Sequence, residues 1–330
     1  MKSKVSIVVP VHNAGKFFSR CLDSLICQTL TDIEIILVLD TPTDGSDKVA
    51  EQYAQQDKRI RIVRNTTNLH IGYSRNAGID VAEGDYVGFS DDDDVCHPRM
   101  FEVLYEKAQT CHADIVVSNY CNEVNGKVEN YCFPEQLSEK EFKQKYLEAL
   151  IRGNHSQPDT VSFNNVNPVW NQIFSRELLN QNNIRFTDNR KVSMEDVIFN
   201  IQAHFYARKV EFVPQVFYRH IINEKNAFNN YDYLSHEKVT AHIHFVHRFM
   251  EKNGMLSEYR DLYLICIIKR VYTSFRNEIR FKRIFHAIPF IRKIRNNADL
   301  QQAISPLFEK KQLLNKLPVT KRLFAFLIRK

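Results

Sequence analysis

Four consecutive aspartates, Asp91-Asp92-Asp93-Asp94, close the short apolar run Tyr86-Val87-Gly88-Phe89 in this 330-residue chain. Adjacent carboxylates repel one another, so a fold that gathers them needs a reason. The usual one is a cation: hard ions such as Mg²⁺ and Mn²⁺ take oxygen ligands and often share a site with substrate phosphates. The plainer reading is a solvated acidic turn that opens the next helix. The residues just before the run bear on the choice. Gly84 and the charges bound a stretch that reads as a strand buried in a sheet. Carboxylates at the C-terminal edge of such a strand lie where open α/β sheets bind ligands.

The elements that position this run follow from the apolar pattern. Val5–Val9, Ile33–Leu39, Ile60–Val63 and Tyr86–Phe89 are continuous apolar runs of strand length. Helical periodicity separates them, with Phe17, Phe18, Cys21, Leu22 and Leu25 first, Val49, Ala50, Tyr53 and Ala54 next, and Ser74–Ala82 third. Strands alternating with helices predict an α/β fold with a mainly parallel sheet and helices on both faces. Val11-His12-Asn13, Asp40 and Asp91–Asp94 then share one edge of that sheet. A helix is expected from Pro98 to about Cys111 and a strand at Ile115–Val117. Further helices are expected at Glu139–Arg152 and Met194–Phe205. Val210–Val213 and Val216–Tyr218 read as two short strands, and from Asp232 on the pattern is helical. Residues 122–165 are otherwise hard to read.

Composition is that of an ordinary globular protein, 44% hydrophobic and 25% charged. The expectation is a chain without signal peptide or membrane span. The seven cysteines are scattered without a CxxC pair, which argues for a reducing compartment and against a zinc site. Net charge is uneven. Residues 260–330 hold 17 Lys/Arg and 4 Asp/Glu, a balance of +13, whereas the remainder holds 28 and 35, a balance of −7. An acidic-site domain with a basic tail disfavours nucleic acid as the partner and points the tail at another anionic surface.

Four blocks in order, Val5-Ser6-Ile7-Val8-Val9-Pro10-Val11-His12-Asn13, Asp40 with Thr43-Asp44-Gly45-Ser46, Ser74-Arg75-Asn76-Ala77-Gly78, and Asp91-x-Asp93, resemble the family 2 glycosyltransferases. The resemblance implies a GT-A fold and a metal-dependent, inverting transfer from a nucleotide-sugar, with a UDP-sugar as donor. It covers about the first 120 residues and, more weakly, Val166–His220. It implies a catalytic domain at 1–230 and a basic helical C-terminal region at 231–330. The cofactor implied is Mn²⁺ or Mg²⁺, with Asp93 as ligand and Asp91 either assisting it or contacting the ribose. Asp92 stands where relatives often have Ser, and Asp94 reads as a solvated turn or helix cap. Pro10, Val11 and His12 would line the nucleotide pocket, and Asp40 would accept the N3–H of uracil, its alternative being a turn cap. Relatives often carry a second acidic residue where this chain has Leu39, and Gly-Ser where it has Thr41-Pro42. Arg75 would contact diphosphate or base, against a surface helix arginine.

The same resemblance makes Ser193-Met194-Glu195-Asp196-Val197 the acceptor-side acidic pair. Asp196 would be the base that deprotonates the acceptor hydroxyl, and Glu195 its neighbour that orients acceptor or loop. Acidic residues at a helix start are otherwise dipole partners. Trp170 either stacks on an acceptor sugar or packs in the core. Gln172 stands where relatives often have Lys, and His220 either completes the metal or phosphate site or is a structural histidine. Alternatives to a transferase are a sugar-phosphate nucleotidyltransferase, or an inactive nucleotide- or glycan-binding module. Expected partners are the donor, a saccharide or lipid-linked acceptor, and an anionic membrane surface. For the last, Phe281, Ile284, Phe285, Ile288, Ile291 and Ile294 share one helical face, kinked at Pro289, beside Lys282, Arg283, Arg292, Lys293 and Arg295. Leu313, Leu314, Leu317, Leu323, Phe324 and Leu327 form a second stripe with basic neighbours. These stripes read either as an interfacial helix pair or as packing. The first places the protein in the cytoplasm, peripheral at the inner membrane face.

Overall fold

The computed structural model describes residues 3–134, 137–153, 163, 166–222, 231–282, 284–315 and 317–329. In chain order the elements are β1 (Val5–Val11), α1 (Phe18–Ile26), β2 (Ile33–Leu39), α2 (Ser46–Gln56), β3 (Ile60–Arg64), α3 (His70–Val81), β4 (Tyr86–Phe89), β5 (Val95–Cys96) and α4 (Met100–Cys111). Then come β6 (Ile115–Val124), β7 (Lys127–Tyr131), α5 (Glu139–Arg152), β8 (Gln172–Ser175), α6 (Arg176–Gln181), α7 (Glu195–Tyr206) and β9 (Val210–Ile222). The remainder is helical: α8 (His236–Lys252), α9 (Leu256–Lys282), α10 (Ala287–Asn296), α11 (Ala298–Glu309), α12 (Lys311–Asn315) and α13 (Val319–Ile328).

The strands form one mixed sheet in the order β3-β2-β1-β4-β8-β6-β9-β5, with β7 paired to β6. Every residue of β1 and β4 is buried, which is why both read as continuous apolar runs. β1 lies parallel to both β2 and β4. The chain steps outward from β1 to β3, then returns through α3 to β4 on the other side of β1. That reversal is a topological switch point, and open α/β sheets bind ligands at the strand C-termini beside it. Here those termini carry His12 and the aspartate run.

Helix α3 is placed by close backbone approach. A Cβ on Gly78 would lie 2.3 Å from Val8 Cγ1, so only glycine lets α3 sit this near β1. A Cβ on Gly72 would lie 2.5 Å from Thr187 O. Asn76 completes the seat: its Nδ2 donates to Phe186 O at 2.9 Å and its Oδ1 accepts Phe186 N–H at 2.8 Å.

Two expectations are corrected, and one stretch that the pattern left unread is filled in part. The two short strands after residue 210 are one, β9, and Pro214 falls where its register with β6 shifts between Ser118 and Asn119. A proline lacks the N–H a regular ladder needs, and Asn119 Nδ2 uses the freed geometry by donating to Pro214 O at 2.7 Å. Within 122–165, the structure supplies the end of β6 and β7; residues 135–136, 154–162 and 164–165 lie outside the described residues. In the tail, α9 stops at Lys282 and a new helix, α10, starts at Ala287, so Pro289 stands in its first turn rather than at a kink.

The chain divides into two compact units. One comprises Met1–Leu147, His155–Asp188 and Glu195–Asn223; the other comprises Glu148–Asn154, Asn189–Met194 and Glu224–Lys330. The second is a helical unit whose core is built on α9. Phe275 meets Phe290 and Phe324, and Leu300, Ile304, Leu307 and Ile328 are buried.

The glycine seat of α3 makes a stability prediction. Gly78→Ala should cost about 1–3 kcal/mol through overpacking against Val8. Val8→Ala opens the space, so the double variant should be less destabilised than the sum of the singles in urea melts. Strict additivity would contradict the contact.

Candidate active site

The four aspartates do not act as one cluster, because the fold gives them different surroundings. Asp94 is fully buried: Tyr218 O–H donates to its Oδ2 at 2.8 Å and Ile221 N–H to its Oδ1 at 2.7 Å. This corrects the solvated-turn reading, since Asp94 ties the turn to β9. Burial first, then Asp91 and Asp93, push its pKa well above the usual carboxylate range. The Tyr218 oxygen also accepts Asp91 N–H at 3.0 Å, so one phenol holds both ends of the turn. Asp92 Oδ2 accepts His12 N–H at 3.1 Å, linking the turn to the end of β1. Burial, with Asp93 beside it, raises the Asp92 pKa well above its ordinary value. Asp93 is half-buried at the tip.

Asp91 is held by Arg75, whose Nη2 donates to Asp91 Oδ1 at 2.7 Å. The other arm of the same guanidinium, Nη1, lies 3.5 Å from Glu195 Oε1. Arg75 is 3% exposed and its guanidinium carbon stands 5.2 Å from the Phe186 ring centroid. Burial pulls its pKa down, but Asp91, Glu195 and Asp196 in turn raise it, and the net shift is upward. The fold therefore brings Asp91, Glu195 and Asp196 around one buried cation. Arg75 is neither a surface arginine nor free to reach a ligand with these two arms; it positions the carboxylates. Asp196 is half-buried, and its Oδ1 accepts Val197 N–H at 2.8 Å at the start of α7.

The corner between β1 and β2 is organised by Asp40, 2% exposed. Its Oδ1 accepts Asn65 Nδ2 at 2.8 Å and Leu69 N–H at 2.7 Å, and its Oδ2 accepts His70 N–H at 2.8 Å. Asp40 thus holds the start of α3. His12 Nδ1 lies 2.7 Å from the Asp40 carbonyl oxygen. A carbonyl only accepts, so Nδ1 carries the proton and Nε2 faces Asn68 Nδ2 at 3.4 Å. Asn13, Thr41 and His70 all adopt positive φ here, 55°, 52° and 62°. For a β-branched Thr that is a strained conformation, and such strain concentrates at functional loops. Pro10 and Val11 are buried in β1 beneath this corner.

Trp170, Gln172 and His220 each have a defined setting. Trp170 is 6% exposed, stacked on Tyr218 at 4.1 Å and edge-on to Tyr120 at 4.8 Å, so it packs behind the acidic turn instead of presenting a face to a sugar. Gln172 is fully buried. Its Nε2 donates to Pro168 O at 2.7 Å and Tyr146 Oη at 3.0 Å, and its Oε1 accepts His204 Nε2–H at 2.9 Å. Burial holds that histidine neutral, with a pKa of about 3. A neutral amide in this network replaces any anion contact a lysine would make. His220 Nδ1 donates to Asn122 Oδ1 at 3.2 Å, which leaves Nε2 as the nitrogen with a lone pair. Burial lowers its pKa, against the pull of Asp91.

Among the described residues no group of three or more His, Cys, Asp and Glu side chains is arranged to hold a metal ion by itself. One or two carboxylates completed by substrate phosphates is nonetheless the common Mg²⁺ arrangement. Asp93, the second oxygen of Asp91 and the His220 ring nitrogen have the donor chemistry for it. Sequence reasoning missed Asn76, Asn65 and Tyr218 as organisers. Their partners are distant in sequence, and only the motif around Arg75 signalled the first.

Comparison with known proteins identifies the family and the fold. The sequence profile of glycosyl transferase family 2 matches residues 6–156. EpsH of Bacillus subtilis, named as a glycosyltransferase, is 30% identical over 281 residues, 82% of this chain and 78% of that protein. Cholesterol galactosyltransferase of Borreliella burgdorferi is 30% identical over 288 residues, 86% and 76% of the two chains. The fold is similar to the crystal structure of S. aureus TarS 1–349 in complex with UDP-GlcNAc, with a TM-score of 0.71 and 18% identity over 98% of this chain and 87% of that one. The architecture is that of a GT-A glycosyltransferase. The chain belongs to glycosyl transferase family 2, and it is an enzyme of that class.

The Arg75 bridge can be measured. Arg75→Met leaves buried carboxylates without their cation and should cost about 3–5 kcal/mol. Glu195→Gln in that background should recover part of the loss in a double-mutant cycle. Independent effects of the two substitutions would show that the bridge is not energetically coupled.

Proposed function

We propose that this enzyme transfers a hexosyl or hexosaminyl group from a UDP-sugar to a hydroxyl of a saccharide or lipid-linked acceptor, with inversion. The observation that carries the reading is the gathering of Asp91, Glu195 and Asp196 around Arg75 at the switch-point edge of the sheet. The likeness to a fold crystallised with UDP-GlcNAc supports the donor class. Asp40 keeps one acceptor direction on Oδ2 for the N3–H of uracil. His12 and the backbone of Pro10 and Val11 line the same pocket.

Asp196 is the general base. Glu195 is buried against Arg75, whereas Asp196 is half-buried at the start of α7, within the same acidic group. A base within hydrogen-bond reach of that hydroxyl takes its proton as the oxygen attacks the anomeric carbon. Attack from the face opposite the nucleoside diphosphate gives inversion. Asp93, Asp91 and His220 would hold Mn²⁺ or Mg²⁺, which supplies positive charge at the diphosphate when bound. Family membership sets the nucleotidyltransferase alternative aside.

Asp196→Asn should keep UDP binding while turnover falls by roughly 10²-fold or more, because the base acts in the transition state. UDP release from a donor panel, with calorimetry for UDP affinity, tests this. A variant with intact kcat and raised KM would make Asp196 a binding residue.

The C-terminal unit has the character of a membrane-facing surface. Of the two stripes, Ile294, Leu313, Leu314, Leu317 and Phe324 are buried, whereas Phe285 is 82%, Ile288 70% and Leu323 61% exposed. Lys282, Arg292 and Arg295 are exposed near them in sequence. Arg283, Lys316 and the side chain of Ile284 lie outside the described residues. No helix among those described is long and apolar enough to cross a membrane. Peripheral binding to an anionic leaflet, at the cytoplasmic face, is the reading this surface supports. Full-length protein should co-sediment with phosphatidylglycerol vesicles at low salt and be released at high salt. Phe285→Ser with Leu323→Ser should weaken binding by at least about tenfold, because of the apolar area removed. Unchanged binding of that variant would refute the assignment.

A further inference from the structure

Among its described residues, the helical unit contains a group of cations with no carboxylate paired to them. Lys269 and Arg270 sit in the middle of α9, both buried. The end of α5 approaches from one side, where a Cβ on Gly153 would lie 3.3 Å from Cys266 Sγ and 3.7 Å from Arg270 Nη2. That brings Arg152 to the same place. Helix α13 approaches from another side, with Phe324 against Tyr272 and Phe275 at 5.3 and 4.8 Å, and Lys321 one turn earlier on that helix.

Buried cations are ordinarily paired with acids. Arg270 instead donates Nε to Cys266 Sγ at 3.0 Å and Nη1 to the Met194 sulfur. Thiol and thioether sulfurs are weak acceptors. Among the described residues, Arg152, Lys269, Arg270 and Lys321 form no salt bridge. The C-terminal carbonyls of α5 contribute only a fraction of a charge. The electrostatic result is visible at Lys269. Burial, followed by Lys321, Arg152 and Arg270 and opposed by Cys266, brings its pKa down to about 8. Lys321 is lowered too, by burial and by Arg276.

We propose that Arg152, Lys269, Arg270 and Lys321 form a binding site for a phosphoryl anion, the phosphate or diphosphate group of an organic ligand. A single carboxylate would leave most of this charge uncompensated, whereas a phosphate or diphosphate carries two or more negative charges and several acceptor oxygens. Arginine offers a fork and lysine a point charge, the combination that recognises phosphate oxygens. The inference stands on the cation cluster and does not rest on the assignments of donor, base or metal. The phosphoryl group can come from a lipid headgroup or from a soluble phosphorylated saccharide, and these are separable by experiment.

The probe is inorganic pyrophosphate with full-length protein in EDTA, read by thermal shift and calorimetry. Pyrophosphate should raise the Tm of the wild type and of Asp93→Ala alike. Lys269→Met and Arg152→Gln should each bind it about tenfold or more weakly, the scale of a lost charge-assisted hydrogen bond. Without pyrophosphate, Lys269→Met should melt at a higher temperature than wild type, because like charges are relieved; a merely structural lysine would lower it. Phosphatidic-acid vesicles divide the sources. Loss of vesicle binding in both variants assigns the phosphate to a lipid headgroup, and retained vesicle binding with lost pyrophosphate binding assigns it to a soluble ligand. Pyrophosphate that leaves wild-type Tm unchanged, protects only proteins with Asp93 intact, or binds both variants as it binds wild type overturns the proposal.

Discussion

A guanidinium buried as deeply as that of Arg75 must be matched by negative charge, and in this protein the matching groups are the acids of the site itself. That requirement works in both directions. Asp91 at the end of β4 and Glu195 at the start of α7 can approach each other only because the cation stands between them. Arg75 can be buried only because both are present. The bridge in turn depends on α3 being set closely against β1, which Gly78 permits, and against residues 186–187, which Gly72 and Asn76 secure. The short motif Ser74–Gly78 is therefore a mounting for these acids.

The acidic turn shows how a fold accommodates four adjacent carboxyl groups by giving them different surroundings. Asp94 is taken inside and satisfied by Tyr218 and Ile221, Asp91 is held by Arg75, and Asp92 accepts a backbone N–H at His12. Asp93 is half-buried at the tip. Repulsion is relieved by giving Asp91, Asp92 and Asp94 separate partners, and Tyr218 keeps the two ends of the turn in register. Trp170, stacked on that tyrosine, stiffens the support from behind.

Asp40 plays the corresponding part at the neighbouring strand end. Its carboxylate collects N–H donors from the start of α3, where His70 is held in a left-handed conformation that the helix alone would not favour. The strand-end corner held by Asp40 and the Arg75 bridge are thus anchored by the same helix, which gives them a common frame.

The parallel core was legible in the sequence because buried strands are written as unbroken apolar runs, and the position of the acids followed from strand ends sharing one edge. The motif blocks pointed to the family and its chemistry. What the local pattern could not carry was partnership across long separations. Nothing adjacent to Asp94 announces Tyr218 or Ile221, and nothing near Gln172 announces His204. Solvent exposure was equally a tertiary decision: Trp170 and Gln172 became core, and one apolar stripe divided into buried Ile294 and exposed Phe285. Periodicity marks which face of a helix is apolar, but whether another element covers that face depends on the whole chain.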